Sequence, residues 1–270
     1  MKKSLSLIVV ILVFVAGVVW AETAEEWFEK GNKAIETKKH WEAMTYYKKA
    51  IDIDPNYAIA HNNIGLVYLV LGKYEEGMVS CEQAIRINAN MQEAHFNLGR
   101  IYRALGRYDE AVDALTQSIK IKPDYTDAHL NLGIVYGEKG MTDEAISELK
   151  GVIAIEPDST DAHYGLAVSF AKKGMMAEAI SEYEKVIALD PNNAHAHHNL
   201  AVQYSKKGDN SLAAEHFYKA GLLFLEKGKR ENALKAYEAL KQTESEKLKK
   251  ALYEKLHPEQ EQKKSEPSKQ

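Results

Sequence analysis

The feature that most constrains this chain is a repeat with a period of 34 residues. Two series of small residues recur at this spacing along most of the sequence. They are Gly31, Gly65, Gly99, Gly133, Ala167 and Ala201, and Ala43, Gly77, Ala111, Ala145, Ala179 and Ala213. Aromatic residues, prolines and a further glycine series keep the same spacing. A period of this length is typical of an array of stacked supersecondary units.

Within one repeat, the hydrophobic pattern predicts two helices. Apolar residues at three- and four-residue spacing predict amphipathic helices over residues 94–105 and 108–121. Gly106 ends the first helix because glycine adopts the left-handed conformation without a steric clash. Pro123 ends the second because proline cannot continue a helix. The predicted fold class is therefore all-α, with helix pairs that need their neighbours to bury their apolar faces.

The residues at these positions resemble the tetratricopeptide repeat family. The family signature has an aromatic residue, Leu-Gly, Tyr, Ala, a second aromatic residue, Ala and Pro at fixed offsets. The third repeat carries it at Leu98, Gly99, Tyr102, Ala111 and Pro123. The resemblance covers residues 24–247. It implies an α-solenoid of stacked antiparallel helix pairs, wound into a right-handed superhelix with a concave groove.

The repeat divides most of the chain into units. Six repeats are predicted, at residues 24–57, 58–91, 92–125, 126–159, 160–193 and 194–227. The sixth has Leu225 where the first, third, fourth and fifth have proline and the second has Ala89, and the pattern restarts early at Gly221. We therefore predict an offset seventh repeat over 214–247 that shares a helix with the sixth. A charged capping helix over 246–256 and a disordered tail over 257–270 are expected to follow it.

The N-terminal stretch departs from the repeat. Lys2 and Lys3 precede an uncharged apolar run from Ser4 to Trp20, and a small residue follows at Ala21. This order predicts a secretory signal peptide over residues 1–21, and therefore export to the periplasm or to the outside of the cell. The run is short against the roughly 20 residues of a membrane-spanning helix. The alternative is a retained anchor that holds the protein on the membrane, facing away from the cytoplasm.

Charge and cysteine content argue against some classes of function. The chain has 35 Lys and Arg against 39 Asp and Glu, a net charge of −4, and loss of Lys2 and Lys3 would make it more acidic. Such a chain has no basic excess to favour nucleic acid, so we expect no nucleic-acid partner. Cys81 is the only cysteine, so no internal disulfide can form. Its position in the second repeat predicts a buried apolar role.

Histidines also follow the repeat, at His61, His95, His129, His163 and His197. Equivalent positions in stacked helix pairs lie roughly one helix diameter, about 10 Å, apart. Two imidazoles at that separation cannot share a zinc ion with bonds of about 2 Å. These histidines are therefore predicted to be structural. His195 and His198 share a helix face, but no cysteine or carboxylate completes a site with them, so we expect no metal and no cofactor.

The sequence contains no recognisable catalytic motif. A glycine-rich phosphate loop, a nucleophile elbow, HExxH and CxxC are all absent from it. Together with the repeat, this predicts a protein without enzymatic activity.

Asparagines occupy one position of the predicted first helices, at Asn63, Asn97, Asn131 and Asn199. An amide offers both a donor and an acceptor, so it can bind a peptide backbone without reading its sequence. The pattern is similar to the asparagine ladder in the tetratricopeptide repeat domain of O-linked N-acetylglucosamine transferase. That resemblance implies that these amides line the groove. The alternative is that each amide bonds to a neighbouring group within the fold.

Other residues of the first helices complete the predicted groove. They are Phe96, Arg100, Arg103, Leu130, Ile134, Tyr164 and Val168. Apolar side chains on a concave surface favour a protein or peptide partner. The family's clamp for chaperone C-terminal carboxylates does not fit, because Phe28, Glu93 and Asn97 stand where its cations would be.

Two functional hypotheses follow. The first is a non-enzymatic scaffold that binds a protein or peptide in its groove, with membrane contact only through the N-terminal segment. The second is an accessory subunit of an envelope assembly or secretion machine that docks through its convex or edge surfaces.

Overall fold

The computed structural model describes residues 22–257, in which fourteen α-helices are joined by short loops. The helices are α1 (Ala24–Glu36), α2 (His40–Ile53), α3 (Ala58–Val70), α4 (Tyr74–Ile87), α5 (Gln92–Ala104), α6 (Tyr108–Ile121), α7 (Thr126–Lys139), α8 (Thr142–Ile155), α9 (Thr160–Lys173), α10 (Met176–Leu189), α11 (Ala194–Lys207), α12 (Asn210–Glu226), α13 (Arg230–Leu240) and α14 (Glu246–Leu256). The predicted all-α class is confirmed.

The two helices of a repeat are separated by a tight turn. Gly140 ends α7 and Gly174 ends α9, both with a positive φ that favours glycine. In the first repeat the equivalent position is Lys38, whose φ is 59°. The prolines Pro55, Pro123, Pro157 and Pro191 all lie in loops that follow second helices, as the sequence predicts.

Small residues allow the two helices of a pair to approach closely. A Cβ added to Gly31 would lie 2.3 Å from the Tyr47 ring, and one added to Gly65 would lie 2.4 Å from the Cys81 Sγ. Gly133 faces Leu149 in the same way, at 2.8 Å. Each of these three glycines therefore packs against a side chain of the second helix of its own pair. This contact explains why the period retains small residues.

Between residues 22 and 257 the helices form two compact units, which divide in the sequence between Leu105 and Gly106. In the first unit, α1 to α3 enclose a core that includes Phe28, Met44, Tyr47, Ile64 and Val67. The division falls inside the predicted third repeat, between α5 and α6.

The second unit has a continuous core from α8 to α14. Its end differs from a regular repeat, because α12 is longer than its equivalents and contacts α11, α13 and α14. A Cβ on Gly221 of α12 would lie 2.6 Å from Leu252 of α14. Leu252 and Leu256 are fully buried, although α14 is rich in lysine and glutamate. Helix α14 thus covers apolar surface of the preceding helices.

The predicted signal peptide (1–21) and nearly all of the predicted tail (257–270) lie outside the described residues. From residue 22 to residue 257, no helix combines the length and the apolar character needed to cross a bilayer.

Candidate peptide-binding surface

Besides Asn131, five predicted groove residues lie on three first helices of the second unit. Leu130 and Ile134 are on α7, Tyr164 and Val168 on α9, and Asn199 on α11. Leu130 and Tyr164 occupy equivalent positions of consecutive repeats. Ile134 and Val168 are also equivalent and lie one helical turn further along the same helices. Helix α7 contacts α9 directly. All five side chains are partly buried. We call this set the second-unit surface.

Hydrogen bonds give this surface a polar element. The Asn199 side-chain amide donates to the Tyr164 hydroxyl oxygen at 3.0 Å and so links α11 to α9. The Tyr164 ring meets the Tyr183 ring edge-on, with centroids 6.0 Å apart. Burial raises the pKa of Tyr164, so its hydroxyl stays protonated at neutral pH and is able to donate. The surface therefore combines apolar side chains with a tyrosine hydroxyl and an amide.

Asn131 behaves differently from Asn199. Its amide donates to the backbone carbonyl of Asp127, one turn earlier in α7, at 2.8 Å. Asn131 thus makes a hydrogen bond within the fold, which was the alternative to binding the backbone of a peptide partner.

In the first unit, side-chain amides and a tyrosine form a chain of hydrogen bonds across several helices. Asn97 donates to Asn62 at 3.0 Å, and Asn62 donates to Asn63 at 3.3 Å. Asn63 donates to the Tyr47 hydroxyl at 3.4 Å, and that hydroxyl donates to Asn32 at 2.9 Å. We call these five residues the amide relay. It connects α5, α3, α2 and α1. Asn62 has no 34-residue counterpart among the asparagines, so the sequence register does not reveal its part in the relay.

Two of the predicted groove residues are more buried than expected. Asn97 is 4% exposed and Phe96 is 9% exposed, so neither presents an open side chain. The core accommodates the Asn97 amide because the Asn62 side-chain oxygen accepts its hydrogen bond. The Arg100 guanidinium lies 5.4 Å from the centroid of the Phe96 ring, and Arg100 and Arg103 are both partly buried.

The repeating histidines bind the loop that precedes their own helix. In each of His61, His95, His129, His163 and His197, Nε2 lies within 2.8–3.1 Å of the carbonyl oxygen six residues earlier. A ring N–H that donates to a carbonyl fixes the imidazole in place. The prediction of a structural role is confirmed.

The partner of the other ring nitrogen changes along the second unit. The Nδ1 atoms of His129 and His163 lie 2.7 and 2.5 Å from carboxylate oxygens of Glu148 and Glu182. In the sixth repeat, His197 instead has its Nδ1 2.9 Å from that of His216. In a hydrogen bond between two neutral imidazoles, one ring N–H donates and the other ring nitrogen accepts. This contact therefore lacks the negative carboxylate that the contacts of His129 and His163 contain.

The described part of the chain holds no group of three or more His, Cys, Asp or Glu side chains placed to bind a metal ion. His195 and His198 instead contact the rings of Phe224 and Phe217. Cys81 is fully buried, and burial raises its pKa to about 12. At neutral pH its thiol is therefore protonated and packs as an apolar group.

Comparison with known proteins places these helix pairs in a family. A family profile described as "TPR repeat" matches residues 31–72, 99–140 and 170–208. Two profiles described as "Tetratricopeptide repeat" match residues 58–91, and residues 127–159 and 217–244. A search of curated protein sequences finds no match.

Several solved structures share the fold. The MamA protein of Desulfovibrio magneticus RS-1, from residue 41 onward, is 27% identical, with a TM-score of 0.58 over 63% of this chain and 96% of that chain. YrrB, described as "a TPR protein with an unusual peptide-binding site", is 23% identical, with a TM-score of 0.56 over 71% of this chain and 97% of that chain. PilF of Pseudomonas aeruginosa is 18% identical, with a TM-score of 0.65 over 74% and 90%. With the profiles matching most of the sequence between residues 31 and 244, the chain belongs to the tetratricopeptide repeat family.

Proposed function

We propose that this protein is a non-enzymatic scaffold that binds a segment of a partner protein on the second-unit surface. The family's fold supports a role in protein–protein interaction. The choice of surface rests on one observation: apolar side chains of α7 and α9 are left partly open in a regular array beside a tyrosine hydroxyl and an amide. The peptide-binding site described for YrrB belongs to a protein 23% identical to this one, so that likeness supports the fold alone.

The array suggests how a partner would be held. Leu130, Ile134 and Val168 would pack against apolar side chains of an extended or helical segment. Tyr164 and Asn199 would hydrogen-bond to its backbone. Because Asn199 already donates to Tyr164, a partner carbonyl would engage the second N–H of the amide and leave the existing bond intact.

Residues of the first unit have a smaller part in this proposal. Asn63 lies within the amide relay, and Asn97 is buried in it. Direct binding to Asn97 would require this network to open, with loss of a satisfied buried hydrogen bond. We keep Asn63, Arg100 and Arg103 as secondary contacts, and Asn97 as a residue that positions its neighbours.

The test is a peptide selection on the full chain. Peptides selected from a random library would be titrated against the wild type, the double variant Leu130→Ser/Val168→Ser, and the control Ile155→Ser. Ile155 is 60% exposed at the end of α8, a second helix, whereas the second-unit surface is formed by first helices. We expect at least about tenfold weaker binding to the double variant, the loss typical of a central apolar contact, and none in the control. Equal affinity for the wild type and the double variant would contradict the proposal.

A second candidate function is docking through an edge of the second unit. Ile155 and Leu189 occupy equivalent positions at the ends of α8 and α10, and both are exposed. An accessory subunit of an envelope machine would use such a row to contact its neighbours. In that case Ile155→Ser/Leu189→Ser would abolish assembly and Leu130→Ser/Val168→Ser would not, which is the opposite outcome.

We also propose export, directed by residues 1–21. The support is the order of Lys2 and Lys3, the apolar run and Ala21. N-terminal sequencing of the protein recovered from the envelope fraction distinguishes the two forms. A chain beginning at Glu22 indicates a cleaved signal peptide, and a chain beginning at Met1 indicates a retained anchor. Recovery of the chain from the cytoplasm alone would overturn the proposal.

A further inference from the structure

A cleft on the first helix pair concentrates positive charge. It lies between α1 and α2, has a volume of about 510 Å³, and is lined by Lys30, Lys33, Lys39 and Lys49. Its volume is in the range of small-ligand sites. We call it the lysine cleft.

The floor of the lysine cleft is aromatic. The rings of Trp27 and Tyr46 stack with centroids 5.6 Å apart. The Nζ atoms of Lys30 and Lys49 lie 4.3 and 3.8 Å from the centroid of the Trp27 ring. Both ammonium groups are thus held over an aromatic face, which orders them at one site.

The repeat pattern shows what is unusual about this face. Stepping from Lys30 by 34 residues gives Ile64 and then Leu98, both buried. The first helix pair therefore carries a lysine where later pairs carry a core residue. A polar end face is expected of a terminal repeat, but solubility alone does not require four lysines around an aromatic floor.

Acidic neighbours neutralise the cleft only in part. Lys30 pairs with Glu22, and Lys39 with Glu42 at 3.3 Å, and these ion pairs are solvent-exposed. Glu42 is the only acidic residue that lines the cleft. Elsewhere on α1, the Glu25 carboxylate accepts a hydrogen bond from Tyr57 instead. The lining is therefore positive even though the whole chain is acidic.

The position of the cleft in the chain indicates which negatively charged ligand the cleft would bind. The apolar run of the sequence ends at Trp20, and Glu22, which pairs with Lys30, follows two residues later. Two extended residues span at most about 7 Å. When residues 4–20 engage a membrane, the lysine cleft is therefore held at the level of the lipid headgroups. Tryptophan and tyrosine favour that layer, and basic clusters beside a membrane segment attract anionic lipid.

We propose that the lysine cleft binds the phosphate headgroup of anionic phospholipid and so orients the first helix pair on the membrane surface. The proposal concerns the form that retains residues 1–21, the alternative to a cleaved signal peptide, and it is independent of the second-unit surface. An acidic peptide would match the charge of the cleft, but nothing would direct it to the end of the chain next to the apolar run.

The test uses the full chain with vesicles of phosphatidylglycerol or of phosphatidylcholine, and measures amine labelling of individual lysines. We expect labelling of Lys33 and Lys49 to slow several-fold with phosphatidylglycerol only. Lys235, which is 68% exposed on α13, serves as the internal control and should label equally in both. Equal labelling of Lys33 and Lys49 in the two vesicle types would overturn the proposal.

Two further arms separate other sources of negative charge. Inorganic phosphate, or an acidic peptide such as oligoglutamate, would be added without vesicles. Protection as strong as that with phosphatidylglycerol would assign the cleft to a free anion or an acidic segment and overturn the lipid proposal. In the variant Lys33→Glu/Lys49→Glu, protection of Lys30 by phosphatidylglycerol should be lost, and in Lys235→Glu/Lys250→Glu it should persist. The wild-type comparison decides the question even if the first variant does not fold.

Discussion

At the scale of single residues, the asparagines show which structural features a repeat position predicts and which it does not. Asn97, Asn131 and Asn199 share a helix position, yet their amides bond to a buried asparagine, a carbonyl of the same helix and a tyrosine hydroxyl. The period predicts the face of the helix that each side chain occupies. It does not predict the partner, because an amide donates and accepts and the residues around it differ between repeats.

The amide relay makes Asn97 a stabilising residue. Asn97→Ala would remove the donor to Asn62 and leave a polar group without its partner in a buried position. We expect the free energy of unfolding to fall by about 1–3 kcal/mol, measured by chemical denaturation. Asn131→Ala, which removes only a bond to its own helix, is the matched control and should change it by about 0.5 kcal/mol or less. Equal effects of the two substitutions would contradict a structural role for the relay.

Lys38 is the one residue other than glycine with a positive φ among residues 22–257. A left-handed backbone conformation costs an L-residue about 1–2 kcal/mol, and glycine avoids this cost. The greater conformational freedom of glycine in the unfolded chain offsets part of that advantage. We expect Lys38→Gly to raise the free energy of unfolding by about 0.5–1 kcal/mol, seen as a higher melting temperature. Lys33→Gly, within α1, should lower it by about 1 kcal/mol. A loss of stability in Lys38→Gly would show that its side chain has a role that the backbone argument omits.

At the scale of helices, most of the architecture is predictable from the sequence. A small residue, glycine or alanine, recurs at this position of every period, so similar local packing is imposed each time, as between Gly133 and Leu149. The histidine contacts are a counterexample. Residues 148, 182 and 216 share one position of the repeat, but the sequence has Glu, Glu and His there. Only the structure shows that each of them faces the imidazole of the preceding helix.

This substitution has a consequence for the dependence of stability on pH. Burial lowers the pKa values of His197 and His216, so the folded state favours their neutral forms. Their contribution is complete above the ordinary histidine pKa and is lost as the pH falls below it. Burial also lowers the pKa of His129, but hydrogen bonds to Glu148 and the Pro123 carbonyl outweigh it and give a net increase. That contribution is present at low pH and is lost as the pH rises.

We therefore expect His216→Glu to protect the sixth repeat against acid. The new carboxylate would face His197 as Glu148 faces His129 and would raise the pKa of His197. Relative to the wild type, the variant should gain on the order of 1 kcal/mol as the pH falls from above to below about 6.5, measured by thermal denaturation at both pH values. His216→Gln, which supplies no charge, is the control. An identical pH profile in the wild type and His216→Glu would contradict the assignment.

At the scale of the whole molecule, the division after Leu105 is the feature that the sequence conceals. The period of 34 residues runs without interruption through the third repeat, and its signature residues Gly99 and Ala111 fall in different units. A period reports the local packing of each helix pair. The period does not report how contacts are distributed between successive helix pairs. That distribution depends on the particular side chains where each pair meets the next.

Two compact units imply that a core defect in one will affect that unit most. Leu149 is 1% exposed and packs against Gly133 and Gly165 in the second unit. Leu149→Ala should lower the free energy of unfolding of the second unit by about 2–5 kcal/mol, as expected for a cavity in a tight core. In repeat proteins, stability is set by nearest-neighbour contacts, so the loss should be greatest in the helices that touch the cavity.

Hydrogen exchange measured along the chain tests this. We expect the protection of α7 to α10 to fall sharply and that of α1 to α3 to remain within a small factor of the wild type. Tyr47→Ala, which removes the buried partner of Gly31, is the reciprocal variant and should give the opposite pattern. A uniform loss of protection from α1 to α14 in either variant would mean that the two units unfold as one. The second-unit surface could then not be loosened separately from the helix pair that carries the lysine cleft.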